Sequence, residues 1–181
     1  MESIGFLELN SVSKGIEAAD AMLKAAGVRL VAAKPTCPGK YIILLTGNIG
    51  AVQAAMSAGE TIGAHNVLDR LIIPRVHRQV VEAINMSAPP EKLRAIGVLE
   101  YFSIAASILG ADAAVKAAEI TLLEIRLGIG IGGKSFVVMT GDVAAVKVAL
   151  ANGEKAAEEN SMLVGSSLIP SPHKDLYRCL L

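Results

Sequence analysis

The sequence predicts an α+β protein of two tandem domains, each a βαββαβα two-layer sandwich. Three observations carry this expectation. The chain of 181 residues is written twice. Each copy runs through strand-like and helix-like segments in the same order. Hydrophobic residues make up 52% of the chain and aromatics only 3%. The core must then be built from Ala, Val, Ile and Leu, whose small side chains suit helices packed closely on a sheet.

The repeat is read directly. "IGFLELNSVSKGIEAADAMLKAAGVRL", from Ile4, aligns without a gap on "IGVLEYFSIAASILGADAAVKAAEITL", from Ile96, at an offset of 92. Further on, "GKYIILLTGNIGAVQAAMSAGE" matches "GKSFVVMTGDVAAVKVALANGE" at an offset of 94, and "IPRVH" matches "IPSPH" at 96. The slips fall near Cys37 and before the last strand, where loops absorb insertions. "NMSAPPEKLR" joins the copies with two prolines and charges, as a linker would, and places the boundary near Ser87 to Glu91. The domains are expected to be 1–87 and 92–181.

In the first copy, "SIGFLEL" alternates with β-friendly residues and predicts a strand. "SKGIEAADAMLKAAG" is amphipathic at helical spacing, with Ile16, Ala19, Met22, Leu23 and Ala26 on one face and Gly27 as its stop. "VRLVAAK" predicts the second strand, "PTCPG" a turn and "KYIILLTG" the third strand. "NIGAVQAAMSAGETIGA" predicts a helix capped by Asn48. "VLDRLIIP" predicts the fourth strand, ended by Pro74, and "RVHRQVVEAI" a short closing helix. The second copy repeats the order.

Seventeen basic and seventeen acidic residues cancel. That predicts neither a nucleic-acid partner nor a polybasic membrane patch. Mean hydropathy is high, at +0.51, yet no apolar run approaches the roughly 18 residues of a membrane span. No cationic start followed by an apolar stretch marks a signal peptide. Two distant cysteines do not make a disulfide framework. A cytosolic, reduced protein is expected, with much apolar surface buried between subunits. No Ser/His/Asp order, HExxH or zinc spacing appears, so no enzyme is expected. Glu8 and Glu100 recur, but on first strands at equivalent sites, which reads as structure.

The motifs "IGFLEL…SKGIEAADAMLKAAGV", "IGVLE…GADAAVKAA", "TGNIGAVQAAMSAG", "TGDVAAVKVALANG" and the closing Ile-Pro-x-x-His resemble bacterial microcompartment shell domains. The resemblance covers nearly the whole chain, twice. It implies a shell protein of the tandem-domain type. Such chains form homotrimers that imitate the hexamers of single-domain relatives and tile into a flat shell with other shell proteins. The location implied is the microcompartment shell, inside the cytoplasm. "TCPGK" resembles a branch in which this turn lines the central pore and the pore cysteine of three subunits holds an iron–sulfur cluster. Carried over by position, Cys37 is the ligand of one 4Fe–4S cluster per trimer, flanked by Thr36, Pro38, Gly39 and Lys40. Encapsulated redox enzymes would be its partners.

The physics agrees with that implication. Closed symmetry gathers the same residue about an axis, and thiolates are the usual ligands of such clusters. Pro38 stiffens the turn, Gly39 keeps it slim, and Lys40 is expected to bring positive charge near the thiol. In the second copy "RLGIGIGGK" replaces "AAKPTCPGK", with Gly130, Gly132 and Gly133 lining the pore and no cysteine. Gly128 to Ser135 formally meets the Gly-x4-Gly-Lys-Ser pattern of a phosphate loop, but a strand and not a helix is expected next. A flexible pore loop is the expectation.

Lys24 and Lys116 correspond, and the resemblance implies that they lie on the tile edge, with Arg75 and Arg78 on the same rim. The plainer reading pairs them with Asp20 and Asp112, four residues back. Asp69 and Arg70 read as a surface pair. His77 and His173 are equivalent, each three residues past a proline, and read as helix-start hydrogen bonds or interface contacts. His65 reads as exposed, and Cys179 as a packing residue of a terminal helix. Two rivals to the cluster-bearing shell protein remain: a cluster-free metabolite pore, and a cytosolic metabolite-sensing regulator on the same α+β plan.

Overall fold

The computed structural model describes residues 2–85, 94–158 and 162–176. The linker expected at Ser87 to Glu91 and the expected terminal-helix residue Cys179 lie outside the described residues. The chain divides into two compact units, Met1–Val76 and His77–Leu181. The first holds β1 (Ser3–Leu9), α1 (Val12–Ala25), β2 (Arg29–Thr36), β3 (Lys40–Gly47), α2 (Ile49–Gly63) and β4 (Val67–Ile73). The second holds α3 (Arg78–Ile84), β5 (Ala95–Tyr101), α4 (Ile104–Ala117), β6 (Ile120–Leu127), β7 (Ser135–Gly141), α5 (Val143–Glu158) and β8 (Leu163–Ile169). The α+β repeat is therefore present twice, and α3, which closes the first copy in sequence, packs along β6 of the second unit.

Local chemistry sets the element ends. Ser11 and Ser103, at equivalent places, cap α1 and α4 by accepting the amide hydrogens of Lys14 and Ala106. Asn48 caps α2 as expected, accepting from Ala51 N–H at 2.8 Å. Each unit has one four-stranded antiparallel sheet, ordered β2-β3-β1-β4 and β6-β7-β5-β8. Register repeats with the sequence, since Ile4 faces Thr46 as Ile96 faces Thr140. β2 runs two residues further than expected, through Pro35 and Thr36. An edge strand tolerates Pro35 because one side of it needs no ladder donor.

Leu7, Leu9, Met22, Ile43, Leu45, Val52 and Met56 form the first core between the sheet and α1 and α2. One expectation is corrected. The buried side of α1 is Gly15, Ala18, Ala19 and Met22. Ile16 is 56% exposed and Leu23 40%, so the helix is turned from the expected face. The long apolar side chains were assumed to point inward, but small residues let α1 sit close to the sheet. The large side chain comes from elsewhere. Tyr41 of β3 lies where a Cβ on Gly15 would stand, 2.4 Å away. In the second unit the equivalents of Gly15 and Tyr41 are Ser107 and Ser135, whose hydroxyls bond at 2.6 Å. There Tyr101, on β5, supplies the bulk over α4. Among the described residues, no helix is long and apolar enough to cross a membrane.

Candidate functional site

The β2–β3 hairpin closes on Thr36, Cys37, Pro38 and Gly39. Gly39 N–H donates to the Thr36 carbonyl at 3.0 Å, the Cys37–Pro38 peptide is cis, and Gly39 has φ +83°. This is a tight turn with a cis proline at its third position, and the positive φ explains a glycine at its fourth. Cys37 is a free, half-buried thiol. A Cβ on Gly39 would meet nothing within 4 Å, so the turn tip is open. Thr36 is buried, and its Oγ1 has no hydrogen-bond partner.

Lys40 does not stand free beside the thiol. Its Nζ donates to Glu8 Oε2 at 3.1 Å, and the Glu8 side chain is 7% exposed. The expected positive charge is thus engaged by a buried carboxylate on β1. The equivalent pair, Lys134 and Glu100, forms the same ion pair in the second unit. Sequence reasoning noted the recurrence of both glutamates but did not join them to Lys40 and Lys134, which stand at equivalent places in the matched segments. The signal was available: opposite charges at equivalent places in both copies, on strands one ladder apart.

Burial outweighs Lys40 at Glu8 and raises its carboxyl pKa above the usual 4.5. A group that holds its proton more tightly when folded stabilises the fold fully below its unfolded value. That contribution is lost as pH rises through the raised value. The urea midpoint of the wild type, relative to Glu8→Gln, should therefore fall as pH rises above 4.5. Paired denaturation series across that window check it, and equal midpoints at every pH would contradict it.

The β6–β7 hairpin has different chemistry. Gly128, Gly130, Gly132 and Gly133 all have positive φ, and Lys134 N–H donates to the Ile131 carbonyl at 3.2 Å. β7 follows directly, so the phosphate-loop pattern stands in a hairpin and lacks the helix it requires.

The remaining residues fall elsewhere. Lys24 pairs with Asp20 at 2.6 Å, both largely exposed. Lys116 pairs with Asp112, whose side chain is only 7% exposed. Arg78 pairs with Glu82 at 3.0 Å, and Arg75 is exposed with φ +56°. The Arg70 guanidinium reaches Glu60 of α2, at 2.8 Å, while its backbone N–H donates to Asp69 Oδ1 at 2.8 Å. His77 Nδ1 accepts from Gln79 N–H at 3.4 Å at the start of α3, one of the two roles expected of it, and His173 Nδ1 accepts from Asp175 N–H at 3.3 Å. His65 is exposed. Among the described residues, no group of three or more His, Cys, Asp or Glu could hold a metal ion. Cys37 fits a cluster by donor type and by access, and among the described residues no group of further ligands stands with it.

A family model described as the BMC domain matches residues 3–76 and 95–172. The bacterial microcompartment shell protein PduT of Citrobacter freundii is 42% identical over 177 residues, 98% of this chain and 96% of that protein. The bacterial microcompartment shell protein PduA of the same organism is 39% identical over 82 residues, 44% of this chain and 87% of that protein. A crystal structure of a microcompartment protein from Desulfitobacterium hafniense DCB superposes with a TM-score of 0.95 at 55% identity, covering 99% of each chain.

Proposed function

Because this chain belongs to the family of bacterial microcompartment shell proteins, with the family's domain present twice, we propose that it forms a homotrimeric tile of the PduT type whose central pore holds a 4Fe–4S cluster on three Cys37 thiolates. As a shell protein its place is the microcompartment shell, beside single-domain shell proteins of the PduA kind. Six domains per trimer imitate a hexamer, with Cys37 hairpins and glycine hairpins alternating around the pore. Lys24, Lys116, Arg75 and Arg78 meet neighbouring tiles along the edge.

The observation that carries the reading is one free thiol at an open hairpin tip, in one repeat only. One thiolate holds no cluster, and threefold closure delivers three. Thr36, buried with an unpartnered hydroxyl one residue from the sulfur, retains a donor for a group that the single chain does not supply. Thr36, Pro38, Gly39 and the Glu8–Lys40 pair hold the sulfur in place. When bound, the cluster supplies one-electron storage, which serves electron transfer across the shell or cluster delivery to redox enzymes inside.

Anaerobic purification followed by iron and acid-labile sulfide analysis tests the reading, with about four irons expected per trimer. Cys37→Ser should lose the iron, the brown colour and the EPR signal of the reduced protein, while the trimer and its sheets persist. A colourless, iron-free wild-type trimer would sink the cluster and leave a metabolite pore. A discrete oligomer that forms neither sheets nor tubes would sink the tile.

A further inference from the structure

The two hairpins stand on the same ion pair, but the pair beneath Cys37 is built differently. Lys40 follows the turn directly and faces Thr36 in the last rung of the β2–β3 ladder. Its Nζ reaches Glu8 Oε2 at 3.1 Å, and the Glu8 side chain is 7% exposed. In the second unit the Glu100 side chain, paired with Lys134, is 38% exposed. The neighbouring strand differs too. Glu8 lies opposite Asp69 of β4, whereas Glu100 lies opposite Gly165 of β8. The hairpin with the thiol thus rests on a carboxyl that is buried and faces a second carboxylate. Its repeat-equivalent has neither feature.

Such a carboxyl is poised for proton exchange. Burial favours its neutral form, Lys40 opposes this, and Asp69 adds to the preference. Lys40 is the group through which sulfur and carboxyl sense each other. While Glu8 is ionised, it holds the ammonium. Once Glu8 is neutral, that attraction is gone, and the positive charge is available to the thiol three residues earlier in the chain. Conversely, negative charge arriving at Cys37 competes for Lys40 and raises the proton affinity of Glu8. By linkage the two effects are equal in size.

We propose that Glu8 takes up a proton when an electron reaches the Cys37 site, so that electron transfer at the pore is coupled to proton uptake. The inference rests on the cluster proposed above. The electron comes from a one-electron donor of the flavin or iron–sulfur class and the proton from water, and no bond to sulfur is made or broken. On reoxidation both leave. Glu8 acts through Lys40 and is not itself a ligand.

Midpoint potentials of the anaerobically purified full-length protein, followed by EPR across the pH window above 4.5, test this. Circular dichroism and iron content check that each variant is folded and loaded. The wild-type potential should fall as pH rises, towards about 59 mV for each tenfold drop in proton concentration, the limit for one proton per electron. Glu8→Gln should be flat, matching wild type at the acid end and lying above it at the alkaline end. Asp69→Asn should keep the fall but begin it at lower pH, because one opposing carboxylate is gone. Glu100→Gln should follow wild type. A second readout uses iron-free protein: the pH midpoint for alkylation of Cys37, read on its own peptide by mass spectrometry, should drop in Glu8→Gln and stay in Glu100→Gln. Parallel potential profiles in wild type and Glu8→Gln, or equal alkylation midpoints, would overturn the coupling and leave the cluster standing. An iron-free wild type would overturn the cluster, and with it the electron step, whatever the alkylation midpoints show.

Discussion

Gly110→Val should destabilise the second unit by roughly 3–5 kcal/mol, combining overpacking with a disturbed buried hydrogen bond. A Cβ on Gly110 would stand 2.0 Å from Tyr101 Oη and 2.6 Å from its Cζ, with the Gly153 carbonyl at 3.3 Å. Tyr101 is fully buried and donates to that carbonyl at 3.0 Å. Burial, and then the charge of Glu154, push its phenol pKa upward, so it remains a donor. The ring cannot move outward without giving up this bond. The first unit suggests the rescue. Its equivalents of Tyr101 and Gly110 are Leu9 and Ala18, both buried. Gly110→Ala alone should also destabilise, and the double variant Tyr101→Leu with Gly110→Ala should recover most of that loss, by a coupling that neither single change shows. Urea unfolding of wild type, Gly110→Ala, Tyr101→Leu and the double variant measures it. A Gly110→Val protein within 0.5 kcal/mol of wild type, the usual range for harmless surface changes, would contradict this packing.

Asp112→Ala should cost about 2–4 kcal/mol, because it leaves a backbone donor and a lysine without their buried acceptor. The Asp112 carboxylate accepts from His77 N–H at 2.8 Å and from Lys116 Nζ. It therefore anchors the start of α3 to α4. Asp20→Ala removes the same residue type from the equivalent place on α1. There the Asp20–Lys24 pair is exposed on both sides, and the expected cost is at most about 0.5 kcal/mol. Thermal or urea unfolding of the isolated chain should separate the two variants. Equal losses would mean that Asp112 is no more than another surface ion pair.

Much of the fold was legible because the sequence states it twice. Ile4 and Ile96 fall at the same place in both copies, so the element order could be read from either and checked against the other; of the caps, Asn48 was read, while Ser11 and Ser103 were not. The misreadings have one physical source: periodicity gives a helix an apolar side but does not say what lies against it. On α1, Ile16 and Leu23 satisfy the spacing of a core face, yet the sheet is met by Gly15, Ala18, Ala19 and Met22. Lys40 was placed correctly at the start of β3, but its partner Glu8 is on β1, and a pairing across a sheet is not contained in either segment alone. The hairpin at Cys37 was recognisable from Pro38 and Gly39. What the thiol binds depends on other copies, and a single sequence carries that only as a resemblance.

The exchange of bulk between the two cores also bears on how the gene can change. Tandem duplications are prone to unequal recombination, which splices one half onto the other. A crossover between α1 and β3 would bring Ser107 against Tyr41, where even a Cβ stands 2.4 Å from the ring, or Gly15 against Ser135, leaving a hole and losing the bond between the two hydroxyls. Such hybrids would be destabilised at this contact, so the diverged packing ties each α1-type helix to the strand of its own half.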